Sequence, residues 1–395
     1  MRWRVSLRAA GLVVVLAAAV QLHAGVMYTV TDLGTLGGPP GEGSAAYGIN
    51  DLGQVVGSAF AQTAEGPAMH AFRTAPNKPI NPATDDLGTL GGNASVGWAI
   101  NNHGQVAGWS WLPNGSRWEQ AFRTAPNQAI NPATDDLGTL GGSMSQARGI
   151  NDAGQVVGES RLVGDSNMGV FRTGPNQAIN PATDDLGAPA GITGVGWAIN
   201  AVGQVVGTSS IGAFRTAPNT PINPQTDALG TLGGLRASVH AINASGQAAG
   251  TSEFTPDRMK AHIFRTGPNH PINPATDDLG TLGDDGPLPW GMNDRGDIVG
   301  MFFTAHGDNE YAFVALGSNV FDLNDLIDPA LGWTLFEAYD INNLGQIVGV
   351  GEHNGLRRAF RLDPIPEPSG LVIGIGGIGY FALARRQKRN GEEPL

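Results

Sequence analysis

The sequence predicts an all-β chain folded as a seven-bladed β-propeller, and three observations carry that prediction. The stretch "YGINDLGQVVG" at 47–57 returns at 98–108, 148–158, 197–207, 240–250, 290–300 and 339–349. A period near 50 residues with several short strands in each period is the pattern of a propeller blade. Stacked solenoid coils usually repeat at shorter intervals, so a β-solenoid is the alternative. Finally, glycine (59 residues) and proline (26) are abundant without a triplet period, so they mark turns between short apolar runs.

The chain opens with a basic start (Arg2, Arg4, Arg8), an apolar run at 10–20 and small residues ending at Ala24. Residues 1–24 read as a secretory signal peptide, because the run is too short to span a membrane. Residues 25–364 hold the seven repeats. Besides the asparagines, each copy carries a phenylalanine (Phe72, Phe122, Phe171, Phe214, Phe264, Phe313, Phe360) and a leucine (Leu33, Leu87, Leu137, Leu186, Leu229, Leu279, Leu323). The order of the markers is "DLG", "IN", "AF". The last "AF" has no "DLG" after it, so residues 28–34 are expected to form the strand that completes the blade of residues 339–362.

Within each copy the pairs Asn50/Gly53, Asn101/Gly104, Asn151/Gly154, Asn200/Gly203, Asn243/Gly246, Asn293/Gly296 and Asn342/Gly345 read as hairpin turns. Asparagine begins the turn and its side chain can bond backbone two residues on, while glycine takes φ > 0 and returns the chain. "QVVG" then starts the second strand. These are read as structural turn residues rather than ligand contacts.

Residues 365–395 form a tail with a short candidate transmembrane segment. Pro366, Glu367 and Pro368 precede an apolar stretch at 370–384, and Arg385, Arg386, Lys388 and Arg389 follow it. The stretch is shorter than the ~20 residues of a usual span, and the basic cluster would stay in the cytoplasm.

The absence of cysteine excludes disulfides, thiolate metal sites and a cysteine nucleophile. Without the two ends the body has 16 basic and 33 acidic residues. That field repels nucleic acid and anionic lipid. The eight histidines have no zinc spacing, no GxSxG stands out, and "GTLGG" lacks the residues of a phosphate loop. The acidic pairs Asp85-Asp86, Asp135-Asp136, Asp184-Asp185 and Asp277-Asp278 lack a calcium-loop pattern and read as solvated strand-edge charges. No catalytic, metal or cofactor residue is assigned.

One position stands apart. Three residues before each asparagine lie Tyr47, Trp98, Arg148, Trp197, His240, Trp290 and Tyr339. Large aromatics there suit packing between blades, or a ring bordering a pocket, where their flat faces suit sugars. Trp98 and the cluster Trp109, Trp111 and Trp118 are the candidate ligand-contacting aromatics.

"HAF" stands at His70-Ala71-Phe72, and "DLGTLGG…AINxxGQVVG…AFR" recurs through the body, which resembles the HAF family of extracellular bacterial repeats. The seventh copy lacks "GTLGG", and the fourth has "LGAPAG" at 186–191. The tail, with Pro366, Glu367, Pro368, Arg385 and Arg386, resembles the PEP-CTERM sorting signal of Gram-negative bacteria. The resemblances imply export, transient inner-membrane anchoring, an exosortase-type processing enzyme as partner, and final residence at the cell surface or in an exopolysaccharide matrix. They imply no enzyme activity. The expected role is a non-catalytic binding or structural module for exopolysaccharide or a surface protein. The alternatives are a propeller-type glycan hydrolase or lyase and a purely structural coat protein.

Overall fold

Each Asn-x-x-Gly stretch closes a hairpin in the computed structural model, which describes residues 27–366 except 114–117, 256–260, 284 and 304–309. In the first copy Gly53 N donates to Asn50 O (3.0 Å), while Asn50 Oδ1 accepts from Leu52 N (3.1 Å) and Gln54 N (3.0 Å). The seven turn glycines all have positive φ, from 74° at Gly104 to 82° at Gly296. In five copies space also demands glycine. A Cβ on Gly154 would lie 2.2 Å from Asn176 Oδ1, and Gly53, Gly104, Gly203 and Gly246 face the equivalent asparagines. The second strands begin at the valine or its equivalent, one residue later than expected.

The hairpins build seven separate antiparallel sheets among the described residues. The first four are Ser44–Ile49, Val55–Thr63 and Gly66–Arg73; Ser95–Ile100, Val106–Trp111 and Glu119–Arg123; Gly141–Ile150, Val156–Leu162 and Met168–Arg172; and Gly194–Ile199, Val205–Ser209 and Gly212–Arg215. The fifth has Ala237–Ile242, Ala248–Glu253, Ala261–Arg265 and Asp278–Gly280. The sixth has Asp285–Met292, Ile298–Phe303, Glu310–Leu316 and Asn319–Asp322. The seventh has Trp333–Ile341, Ile347–His353 and Leu356–Pro364, and its edge is Tyr28–Asp32 from the other end of the chain. That pairing runs from Tyr28↔Pro364 to Asp32↔Phe360, as the marker order predicts. In the first four sheets the following "DLG"-like segment makes one bridge in the same place, from Phe72↔Asp86 to Phe214↔Ala228.

Burial follows the markers. All seven repeat phenylalanines are 0% exposed, and each of the seven core clusters joins residues of neighbouring sheets. Polar staples reinforce those contacts. Arg73 Nη1 donates to Gly104 O (3.3 Å) and Gln128 O (3.0 Å) of the next copy, and Arg123, Arg172 and Arg215 repeat the pattern. Gln54 Nε2 reaches Asn127 Oδ1 (3.0 Å), and Gln346 Nε2 reaches Asn77 Oδ1 (2.9 Å).

The first acid of each pair (Asp85, Asp135, Asp184, Asp277) is buried and not the solvated edge charge expected, whereas Asp278 is exposed on the edge strand Asp278–Gly280. Asp85 is buried, accepts from Asn81 N (2.8 Å) and Thr84 Oγ1 (2.8 Å), and so closes the "NPATD" loop. Asp86 accepts from Gly88 N (2.8 Å) and lies 2.9 Å from His70 Nδ1. Burial alone would raise the Asp86 pKa, but the bonds from His70 and Gly88 outweigh it and hold it below the ordinary carboxylate value.

Residues Met1–Pro364 and Ile365–Leu395 are separate contact units. Residues 1–24, expected to be a signal peptide, lie outside the described residues, as do Glu367, Pro368, Arg385, Arg386 and the candidate membrane segment. Among the described residues no helix is long and apolar enough to cross a membrane.

Candidate functional site

The first strand of every sheet carries a β-bulge. The register steps over Tyr47, Trp98, Arg148, Trp197, His240, Trp290 and Tyr339, which are the residues three before each asparagine. A bulge breaks the two-residue alternation and re-aims one side chain. The seven re-aimed side chains meet one another.

Their contacts form a closed circuit. Ring centroids are 4.4 Å apart for Tyr47–Trp98, 5.2 Å for Trp197–His240 and 4.9 Å for His240–Trp290. Trp290–Tyr339 follows at 6.0 Å and Tyr339–Tyr47 at 4.9 Å. Arg148 fills the remaining gap, its guanidinium carbon 5.1 Å from the Trp98 ring and 5.1 Å from the Trp197 ring. These distances suit aromatic pairing and cation–π attraction. The seven side chains line a cavity of about 220 Å³.

Polar partners hold the circuit from behind. Arg148 Nη2 donates to Glu159 Oε1 (2.8 Å), and the Tyr339 hydroxyl donates to Glu337, which Arg357 Nη2 also bonds (3.1 Å). Burial pushes the Tyr47 and Tyr339 phenols up and lowers His240 to about 4, so this imidazole is neutral at pH 7. His240 bonds the Pro289 backbone, but its Nδ1 has no partner among the described residues. The same holds for the buried Trp98 Nε1, Trp290 Nε1 and Arg148 Nε.

Beneath the circuit a second cavity of about 210 Å³ is lined by the same seven residues and by Ile100, Ile150, Ile199, Ile242, Met292 and Asp340. Asp340 replaces the glycine or alanine found at its position in the other six copies (Gly48, Ala99, Gly149, Ala198, Ala241, Gly291). Its two oxygens accept from Ile49 N (3.0 Å) and Ile341 N (2.9 Å). Burial raises its pKa to about 6.

The far end is closed by asparagine. Asn50 Nδ2 donates to Asn101 O (3.0 Å), Asn101 to Asn151 (3.0 Å) and Asn151 to Asn200 (3.0 Å). Asn200 donates to Asn243 (3.3 Å), Asn243 to Asn293 (3.4 Å), Asn293 to Asn342 (3.3 Å) and Asn342 back to Asn50 (3.0 Å). The asparagines thus make their predicted turns and also link copy to copy. A third cavity, about 270 Å³, lies at this end.

Of the candidate ligand-contacting aromatics, only Trp98 lines the ring cavity. Trp109 and Trp111 lie side by side on one strand, 6.3 Å between centroids, and Trp118 is 51% exposed. No periodic pattern announces the bulge, so alternation alone does not place the ring. Asp340 was missed; the signal for it is a single acid at a position otherwise held by glycine or alanine. Among the described residues no cluster of His, Asp and Glu has metal-holding geometry.

No protein-family model and no curated protein matches the chain. Sixteen solved chains align with it, among them the following three. A protein of unknown function from Dyadobacter fermentans is 9% identical, covering 86% of this chain and 97% of that one, with a TM-score of 0.39. Trypanosoma rangeli sialidase in complex with 2,3-difluorosialic acid is 10% identical over 80% of this chain and 53% of that one, with a TM-score of 0.31. The catalytic domain of a Coprinopsis cinerea α-L-arabinofuranosidase is 10% identical over 86% and 98%, with a TM-score of 0.27. At these scores the alignments carry no argument about what this chain does.

Proposed function

We propose that the chain is an exported seven-bladed β-propeller that acts as a non-catalytic binding module, taking one unit of a neutral glycan at the aromatic end. The closure from Asn342 to Asn50 and the pairing of Tyr28–Asp32 with Leu356–Pro364 support a ring. A solenoid gives its first strand no reason to meet its last. The seven-membered circuit of Tyr47, Trp98, Arg148, Trp197, His240, Trp290 and Tyr339 carries the functional reading.

Flat aromatic faces suit the C–H faces of a sugar, and a cavity of about 220 Å³ is the size of one residue of a glycan chain. The indole N–H groups of Trp98 and Trp290 would give donors, and neutral His240 Nδ1 an acceptor, to a hydroxyl-rich ligand. A cationic ligand is disfavoured because Arg148 already occupies two of the π-faces. An anionic ligand is disfavoured because Glu159 neutralises that arginine and the body is strongly acidic. Catalysis is disfavoured because both Asp340 oxygens are bound to backbone, while Glu159 and Glu337 serve the ring residues. Export and exopolysaccharide association rest on the signal-like N-terminus, the sorting-type tail and the repeat resemblance. A glycan-array screen, with a hydrolysis assay on every hit, tests the reading: binding without turnover is expected, and turnover or an empty array overturns it.

A further inference from the structure

Both ends of residues 27–364 leave the fold at one place. Tyr28 pairs with Pro364, and a Cβ on Gly345 would lie 3.7 Å from the Pro364 ring, so both ends sit beside the seventh asparagine hairpin. Exposed apolar side chains there include Met27 (42% exposed), Leu52 (52%) and Leu344 (59%). Asn343 N, beside Leu344, donates to Asp51 Oδ1 (2.8 Å), which joins the two leucine-bearing tips across the first and seventh copies. Arg295, from the sixth copy, bonds the Asn343 backbone and has a 55% exposed side chain.

From Pro364 the chain has six residues to reach the apolar stretch at 370–384. Six residues extend at most about 20 Å. If that stretch enters a bilayer, Pro364 is held within this distance of the lipid surface.

We propose that the asparagine-hairpin end of the fold docks on a phospholipid bilayer, with Leu344, Leu52 and Met27 entering the interface and Arg295 beside the headgroups. The occupant is a lipid surface because the tether supplies it at high local concentration. Apolar contact drives the docking rather than attraction to anionic lipid, since Asp51, Asp152 and Asp294 ring the same mouth. The aromatic side chains stand three residues before the asparagines on the same first strands, so their cavity lies on the side of the asparagine circuit away from the membrane.

The lack of cysteine allows a direct test. The tail-bearing chain is reconstituted in phosphatidylcholine vesicles with one cysteine in each variant, L344C, L52C or V163C, carrying a polarity-sensitive fluorophore. Val163 is 77% exposed in a turn at the end of its sheet opposite the asparagine hairpin, just past the Gly141–Leu162 pair. The proposal expects blue-shifted emission and quenching by nitroxide lipids at 344 and 52, with neither at 163. Vesicle-bound protein whose labels at 344 and 52 stay in water, a label buried at 163 instead, or protein that fails to float with the vesicles would each overturn it. Circular dichroism checks that each variant is folded, and the agreement of 344 with 52 guards against a local effect of one substitution.

Discussion

Asn342 donates its side-chain amide to the backbone oxygen of Asn50, 3.0 Å away and 292 residues earlier in the chain. The same two groups join every other neighbouring pair, so the seam between the chain's ends is built like the six joints that have covalent continuity. The seventh asparagine therefore serves closure as well as its own turn.

Any member of this circuit is expected to matter. Asn151→Ala removes a donor to Asn200 O and to Gln155 Oε1 and an acceptor for Gln155 N, all buried. Leaving such groups unpaired costs about 1–3 kcal/mol each. The urea midpoint should fall accordingly, and an unchanged midpoint would show that water replaces the amide without loss.

The turn glycines should divide into two classes. Gly154→Ala adds a methyl at φ +74° and drives it into Asn176 Oδ1, which also receives Gln105 Nε2 (3.0 Å). Gly345→Ala has φ +81°, but its nearest neighbour is the flexible Arg295 head at 3.1 Å. The left-handed backbone alone costs about 1–2 kcal/mol. Denaturation should show a loss near that value for Gly345→Ala and a clearly larger one for Gly154→Ala, and larger still for Gly154→Val. Equal losses would mean that the asparagine moves aside freely.

Asp340 makes a prediction about pH. Its folded pKa, about 6, lies above the ordinary value of 3.8, so ionisation opposes folding. The penalty is present at pH 7 and disappears as pH falls through 6 toward 4. Relative to Asp340→Asn, the parent should therefore gain stability on acidification across that window. Melting temperatures of the two proteins between pH 4 and 8 measure this directly, and parallel curves would show that the carboxylate is better solvated than its position implies.

Removing residues 28–34 strips the seventh sheet of its edge strand and takes away Tyr28 and Leu33, both buried. Leu33 also bonds Ala359 O (3.0 Å) and Ile80 N (2.8 Å) through its backbone. The loss is on the order of 5 kcal/mol, comparable with a domain's whole stability. Cooperative loss of all seven sheets in hydrogen exchange is expected, with aggregation through the bared edge. A deletion variant as stable as the parent would contradict closure through this strand.

Local chemistry was legible in the sequence: seven copies, seven turns with glycine at positive φ, and the N-terminal strand that pairs with the last. Partners between copies were not. Asn50 meets Asn101, Gln54 meets Asn127 and Arg73 meets Gly104, yet each residue also has an adequate local explanation. Asp85 shows the same limit, since a charge that closes its own loop reads like one left in solvent. Spacing singles out the residue three before each asparagine, while the bulge that turns it toward the others depends on the partner strand. Trp109, Trp111 and Trp118 drew notice by their density, and only the folded backbone separates them from Trp98.

The binding reading is tested most directly by calorimetric titration of the strongest array glycan into the parent, Trp290→Ala and Trp118→Ala. Trp290 lines the ring cavity, and Trp118 does not. The account predicts about tenfold or greater weakening in Trp290→Ala, equivalent to at least ~1.4 kcal/mol, and an affinity within about twofold of the parent in Trp118→Ala. Binding that survives the loss of Trp290, or that is lost with Trp118 alone, would move the ligand off the ring and contradict it.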